Sequence, residues 1–251
     1  MAAAIFSACA DFQSRTLRLG LESERVVTVC WIDGLVSARM LTEDVIRPLT
    51  SLARLPEEKT ERQTLLRILA GAVYNCSAQY RDTMDDVVSD LTHGCCVLLF
   101  DGTAQAVSFE ARSETQRAVS EPTLEKSIKG AKDAFVETLR VNTALVRRRL
   151  CTPRLKLVES TLGTQTGTKV AMLYLDGAAA PDTVTALAQR LDTLGPDALL
   201  ATGLLEEGLT DAPFSPFPQL LHTERPDRFA QYLTEGRVGL LVDGLPIGQP
   251  G

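Results

Sequence analysis

The chain has 251 residues, 45% of them hydrophobic and 23% charged, and a net charge of −6. That usage excludes a disordered or fibrous chain, and the length suits one large domain or two small ones. The acidic balance gives no global attraction to DNA or anionic lipid, so nucleic acid is not an expected partner. No run approaches the about 18 apolar residues a bilayer-crossing helix needs. The opening MAAAIFSACADFQSR has no basic n-region, so the reading is a soluble chain without a signal peptide. Six cysteines (Cys9, Cys30, Cys76, Cys95, Cys96, Cys151) form no CxxC pair, and only His93 and His222 could assist them. No zinc site is expected, and the thiols read as free, in a reducing compartment.

Four apolar segments end abruptly in Asp-Gly: Val26 to Asp33-Gly34, Cys96 to Asp101-Gly102, Val170 to Asp176-Gly177, and Val238 to Asp243-Gly244. Each reads as a short strand buried on both faces, closed by a turn. The glycines are 68 residues apart in the first pair and 67 in the second. Leu91-Thr-His-Gly94 before one strand resembles Leu233-Thr-Glu-Gly236 before another. The prediction is an α/β fold of two similar subdomains, each a central sheet flanked by helices, related by an internal repeat. Its boundaries are a first subdomain at 24–119, connecting helices and a strand at 120–167, and a second subdomain at 168–251. Residues 1–23 carry no assignment.

In chain order, a helix begins at Thr42 with acids in its first turn, and Pro48 interrupts or kinks it. A second helix covers residues 82–91 and closes at Gly94. Residues 105–112 pair with the preceding strand as a hairpin. Residues 120–150 read as helical, with Gly130 dividing them. Residues 154–161 alternate as a strand, and residues 164–168 are a polar loop. Residues 181–194 have helical spacing, and Arg225-Pro226-Asp227 opens a last helix running to Thr234.

The order of motifs resembles one known family. Trp31-Ile-Asp-Gly34, Glu43-Asp-Val-Ile-Arg-Pro48, Ser120-Glu-Pro122, Phe135 through Arg149, Ser215-Pro-Phe-Pro218, Thr223-Glu-Arg-Pro226 and Glu235-Gly-Arg-Val238 are similar to the A subunits of spore-germination receptors, the GerA family. The resemblance spans residues 24–247. It implies a domain acting in receptor assembly and nutrient-signal transduction rather than an enzyme. It also implies B and C subunits and other A subunits as partners, and a membrane-spanning part beyond residue 251. The full-length protein would lie in the spore inner membrane, with this domain on the cytoplasmic side. The family's usual Gly-Pro-(Arg/Lys)-Glu-Gly-Phe stretch is Gly130-Ala-Lys-Asp-Ala-Phe135 here, and the alanines favour helix.

Candidate sites follow from these elements. If the strands run parallel, Asp33, Asp101, Asp176 and Asp243 line one rim and could bind a ligand or cation. Against that, Asp before Gly commonly does no more than close a turn. Phosphate-loop, dinucleotide and nucleophile-elbow motifs are absent, so no cofactor, metal or catalytic residue is assigned. Arg147, Arg148 and Arg149 either complement a helix C-terminus or contact an acidic neighbour or lipid. Asn142 on the same helix, with Phe214 and Phe217 in the proline-rich loop, completes the interface candidates. The alternative reading is a small-ligand-binding module, its site in a cleft between the subdomains and its ligand a small nutrient.

Overall fold

In a computed structural model, residues 2–19, 26–51, 61–73, 77–113, 125, 131–163, 166–193, 209 and 220–250 are described. The chain divides into two compact units: residues 1–7 with 11–114, and residues 8–10 with 115–251. The segment read as a connector therefore belongs to the second unit.

The first unit opens with the short helix α1 (Ala2–Ile5) and the strands β1 (Phe12–Arg18) and β2 (Val26–Ile32). Helix α2 (Ala38–Met40) runs through a π-helical turn (Leu41–Ile46) into α3 (Arg47–Ser51). It starts four residues before Thr42, because the Ser37 side chain accepts from the Met40 N–H and caps it. The π turn has a local cause. Pro48 has no N–H, and its ring would crowd the carbonyl four residues back. The turn before it widens, and the Arg47 N–H bonds to Thr42 O, five residues back. After α4 (Glu61–Arg67) and a second π turn (Ile68–Ala72) come β3 (Gln79–Arg81), α5 (Met84–Thr92), β4 (Cys95–Phe100) and β5 (Ala106–Glu110).

The sheet order is β1-β2-β4-β5-β3, and every pairing is antiparallel. One core gathers Val27, Val29, Cys96, Leu98, Val107 and Phe109 from the sheet under Leu41, Val45, Leu49, Leu65 and Ile68 from the helices. Helix α5 lies against β4 and β2, with Val87 and Leu91 buried. Fully burying such a side chain contributes about 1.5–3 kcal/mol.

The second unit holds α6 (Leu139–Arg149), β6 (Leu155–Leu162), β7 (Thr168–Leu175), α7 (Pro181–Thr193), α8 (Pro226–Thr234), β8 (Gly239–Val242) and β9 (Gly248–Pro250). Its order is β6-β7-β8-β9, again antiparallel throughout. Helices α6 and α8 share a core with Leu155, Leu157, Ala171, Leu173 and Leu241. Leu191 of α7 joins a second core with Val170, Met172, Leu240 and Val242. Phe229 of α8 meets Phe135 edge to face, with centroids 5.5 Å apart. It lies against the bare backbone of Gly239 and Gly248, where an added Cβ would collide with its ring.

The internal repeat extends to the register of every shared pairing. Phe12 opposite Ile32 becomes Leu155 opposite Leu175, and Val27 opposite Phe100 becomes Val170 opposite Val242. Cys30 opposite Val97 becomes Leu173 opposite Gly239, and Leu99 opposite Ala106 becomes Leu241 opposite Gly248. Val87 and Leu91 of α5 fall at the positions of Phe229 and Leu233 of α8, both buried.

The end of each such helix repeats as well. The N–H groups of His93 and Glu235 turn back onto the last carbonyls of α5 and α8. A glycine with positive φ then follows, Gly94 at 85° and Gly236 at 92°. A Cβ on Gly94 would sit 3.2 Å from Leu35 O, and one on Gly236 would sit 2.7 Å from Ala178 O. Leu35 and Ala178 occupy matching places just after the first Asp-Gly of each unit.

A matched pair of substitutions tests this joint. Gly236→Ala and Gly244→Ala both suffer left-handed strain, but Gly244 has open space around it. Gly236→Ala should cost the further 1–3 kcal/mol, roughly, of an overpacked contact. Urea denaturation of the two variants measures the difference, and equal losses would refute the close approach.

Candidate functional site

The antiparallel sheets separate the strand-end aspartates and correct the parallel-rim expectation. Asp33 follows β2 and Asp101 follows β4, and these strands run in opposite directions. The two residues therefore leave opposite ends of the sheet. Asp176 after β7 and Asp243 after β8 are separated in the same way. Burial of strands on both faces is compatible with either strand direction, and here helices cover antiparallel strands. Among the described residues no group of three or more His, Cys, Asp and Glu side chains could hold a metal ion.

The roles these aspartates have are local. The Asp243 carboxylate accepts the Leu139 N–H at 2.9 Å, and Gly244 N–H donates to Glu137 O at 2.7 Å. Thr138, the N-cap of α6, makes no side-chain cap bond, so the turn after β8 supplies one. The Asp176 carbonyl accepts from Arg154 Nε at 2.7 Å, and the Asp176 N–H returns a bond to Arg154 O at 2.8 Å. Asp33 N–H donates to Asp11 O at 2.8 Å, the matching bond of the first unit. Asp101 is exposed.

The interface candidates divide. Asn142 is 0% exposed and Arg147 1% exposed, so neither offers a surface. Asn142 Oδ1 accepts the Val136 N–H at 2.8 Å, and its Nδ2 donates to Val136 O at 2.5 Å. Arg147 donates to Leu155 O at 2.8 Å and ties the end of α6 to the start of β6. Arg148 is half-buried; Arg149 is exposed and paired with Asp133 at 2.5 Å. The basic run thus splits by helical phase into an inward-facing and an outward-facing arginine. Phe214 and Phe217 lie outside the described residues, as does Cys76.

Sequence reading missed a polar cluster at the start of α8. Glu125 accepts from the Thr223 hydroxyl at 2.6 Å and the Glu224 N–H at 3.2 Å, and pairs with Arg228 at 2.8 Å. Arg225 grips Asp227 through two bonds, of 3.0 and 2.6 Å. The signal was present in Thr223-Glu-Arg-Pro226, but it could not name Glu125 as partner across about a hundred residues. The thiols of Cys9, Cys30, Cys95, Cys96 and Cys151 are free. Burial pushes Cys30 up to about 11 and Cys96 up to about 12, which makes them core groups rather than nucleophiles. His93 is the C-cap residue of α5, its ring 2.7 Å from Ser89 O.

Comparison with known proteins assigns the family. The model of the Bacillus/Clostridium GerA spore germination protein matches residues 1–248. Spore germination protein B1 of Bacillus subtilis is 36% identical over 94% of this chain and 48% of its own length. An uncharacterized membrane protein of the same organism, YfkQ, is 34% identical over 87% of this chain and 42% of its own. The chain belongs to the GerA family. It spans about half the length of the curated relatives it matches. Its fold matches the crystal structure of the N-terminal domain of the A subunit of the Bacillus megaterium spore germinant receptor GerK3. The TM-score is 0.76, with 26% identity over 99% of this chain and 90% of that one. Among the described residues no helix is long and apolar enough to cross a membrane.

This GerA chain departs from the helical reading of residues 120–150 over residues 131–138, while residues 120–124 and 126–130 of that reading lie outside the described residues. Helix α6 covers only Leu139–Arg149, and residues 131–136 are not helical. Alanine propensity yields to tertiary bonds. Phe135 N–H donates to Glu224 O at 2.8 Å, Asn142 pairs with both backbone groups of Val136, and the Phe135 ring is buried. Removing the amide in Asn142→Ala would leave the part-buried N–H and C=O of Val136 without this partner, at up to about 1–3 kcal/mol each. The expected outcome is a loss of about 2–4 kcal/mol in denaturation with faster exchange of the Val136 amide. A neutral variant would remove this assignment.

The Asp227 pair carries a pH dependence. Burial alone would raise the Asp227 carboxyl, but the hydrogen-bonded Arg225 guanidinium, aided by its charge, holds it below the ordinary carboxylate value. A depressed folded value means stability present above the unfolded value, about 4, and lost as pH falls through the folded one. The Asp227→Asn chain should lose less stability than the parent between about pH 5 and pH 2. Parallel acid titrations followed by circular dichroism measure this.

Proposed function

We propose that this chain is the N-terminal domain of a germinant-receptor A subunit, serving receptor assembly and transmission of the nutrient signal during spore germination. The observation that carries the reading is the end-to-end likeness, in sequence and in fold, to an A-subunit N-terminal domain. The polar chemistry supports a scaffold rather than a catalyst: Asn142, Arg147, Asp243 and Glu125 bond to backbone and helix ends. Its partners on this reading are the B and C subunits and further A subunits. The full-length protein sits in the spore inner membrane, with this domain on the cytoplasmic side.

The test is made in spores carrying the full-length subunit with the segment corresponding to residues 1–248 deleted. Nutrient-triggered germination should be lost, and recovery of B and C subunits with the A subunit should fall. Normal germination without the segment would overturn the proposal. A thermal-shift series of the chain with amino acids, sugars and nucleosides separates two roles. A saturable rise with one nutrient would place sensing in this chain itself, and a flat response on folded protein would leave assembly and transmission.

A further inference from the structure

Among the described residues, three of the four sheet edges are short or covered, and one carries no outer partner. In the second unit, β6 is flanked by residues 8–10, with Ala10 N–H to Leu157 O at 2.8 Å and Leu157 N–H to Ala8 O at 3.0 Å. The other edge, β9, exchanges bonds of 2.9 and 2.8 Å between Thr223 and Gly248. In the first unit β3 is only three residues long. Strand β1 is different. It is seven residues long, pairs with β2 on one side, and exposes Gln13, Ser14, Arg15, Thr16 and Arg18.

The repeat identifies which groups of β1 face outward. Ser14 stands where Leu157 stands in β6, and the Leu157 backbone is bonded on the side away from β7. By the two-residue alternation of a strand, the N–H and C=O of Ser14 and Thr16 point away from β2. They form no backbone hydrogen bond among the described residues. Long open edges of this kind are templates for an added strand, and proteins usually blunt them.

We propose that the outer edge of β1 is a docking site for an extended acidic segment of another protein, which adds as a strand beside Phe12–Arg18. Main-chain bonds to Ser14 and Thr16 supply the pairing, and charge supplies the choice of partner. Arg15 and Arg18 are three residues apart and so project on opposite faces of the strand. Neither β1 nor β2 contains an acid. A partner strand with carboxylates three residues apart would meet one arginine on each face. A second copy of β1 is disfavoured, because antiparallel pairing centred on Arg15 sets Arg15 against Arg15. The inference does not depend on which receptor the chain serves.

The experiment uses the chain with a synthetic ten-residue peptide of alternating Thr and Val carrying two Glu three residues apart. The same peptide with Lys in place of Glu is the control. Amide hydrogen exchange reads the edge directly. The acidic peptide should slow exchange at Ser14 and Thr16, and the Lys peptide should not. Arg15→Glu with Arg18→Glu changes exposed side chains only and should weaken the acidic peptide about tenfold. Ser14→Pro and Thr16→Pro remove outward N–H groups that β2 does not use, so binding of the acidic peptide, read by calorimetry, should be lost while the fold persists. Unchanged exchange at both amides with the acidic peptide would overturn the proposal. So would equal binding of both peptides, or self-association that protects the same amides in the absence of peptide.

Discussion

Each unit hangs on one close approach of backbone to backbone. A helix ends, a glycine turns left-handed, and the chain enters a central strand. At that point it passes within contact of a carbonyl belonging to the first Asp-Gly turn. Gly94 meets Leu35 O, and Gly236 meets Ala178 O. A side chain would clash outright at Gly236 and crowd the carbonyl at Gly94. The contact joins the two ends of a long excursion through helices, and so sets how α5 and α8 lie on their sheets. Val87 and Leu91 in one unit, and Phe229 and Leu233 in the other, are then aimed into the core by the same geometry. The conserved register across the units is what such a joint would enforce, since a one-residue slip would turn every core side chain outward.

The same backbone is stabilised by different side chains in the two units. The second spends its buried polar groups on helix ends and on the loop before α6. Asn142 takes the place of a neighbouring strand for Val136, and Asp243 caps a helix more than a hundred residues earlier in the chain. These bonds each contribute modestly when made and cost more when one partner is removed. That asymmetry explains why an asparagine and an arginine can lie wholly buried on a helix that also buries Leu139, Leu145 and Val146. Such groups carry specificity of fold.

Much of the architecture was legible because the signals were local and repeated. The apolar runs ending in Asp-Gly marked four strands, and their spacing marked two units. Helices α5, α7 and α8 began and ended close to where Gly94, Pro181 and Pro226 place them. What could not be read depended on contacts far apart in the chain. Strand direction was one such feature, because a strand covered on both faces looks the same in a parallel sheet and in a helix-covered antiparallel one. The loop before α6 was another, since its alanines favour helix and only the folded neighbours Glu224, Asn142 and Phe229 overrule them. The interface reading of Asn142 and Arg147 failed for the same reason. A polar residue on a helix gives no sign of which face it occupies until the partner surface is known.

Two units with one register but unequal surroundings put the difference between them at their margins. In the second unit both edge strands are bonded on their outer sides, one by residues 8–10 and the other by Thr223. Its sheet is complete as a hydrogen-bonded object. In the first unit the strand in the place of β6 is exposed over four successive residues. A sheet that had only to fold would gain from closing that edge, and the second unit shows that a three-residue segment suffices. The basic side chains on β1 resist pairing with a like strand while remaining open to an unlike one. Among the described residues, one charged edge without an outer partner beside three short or covered ones fits an exchangeable partner better than incomplete folding.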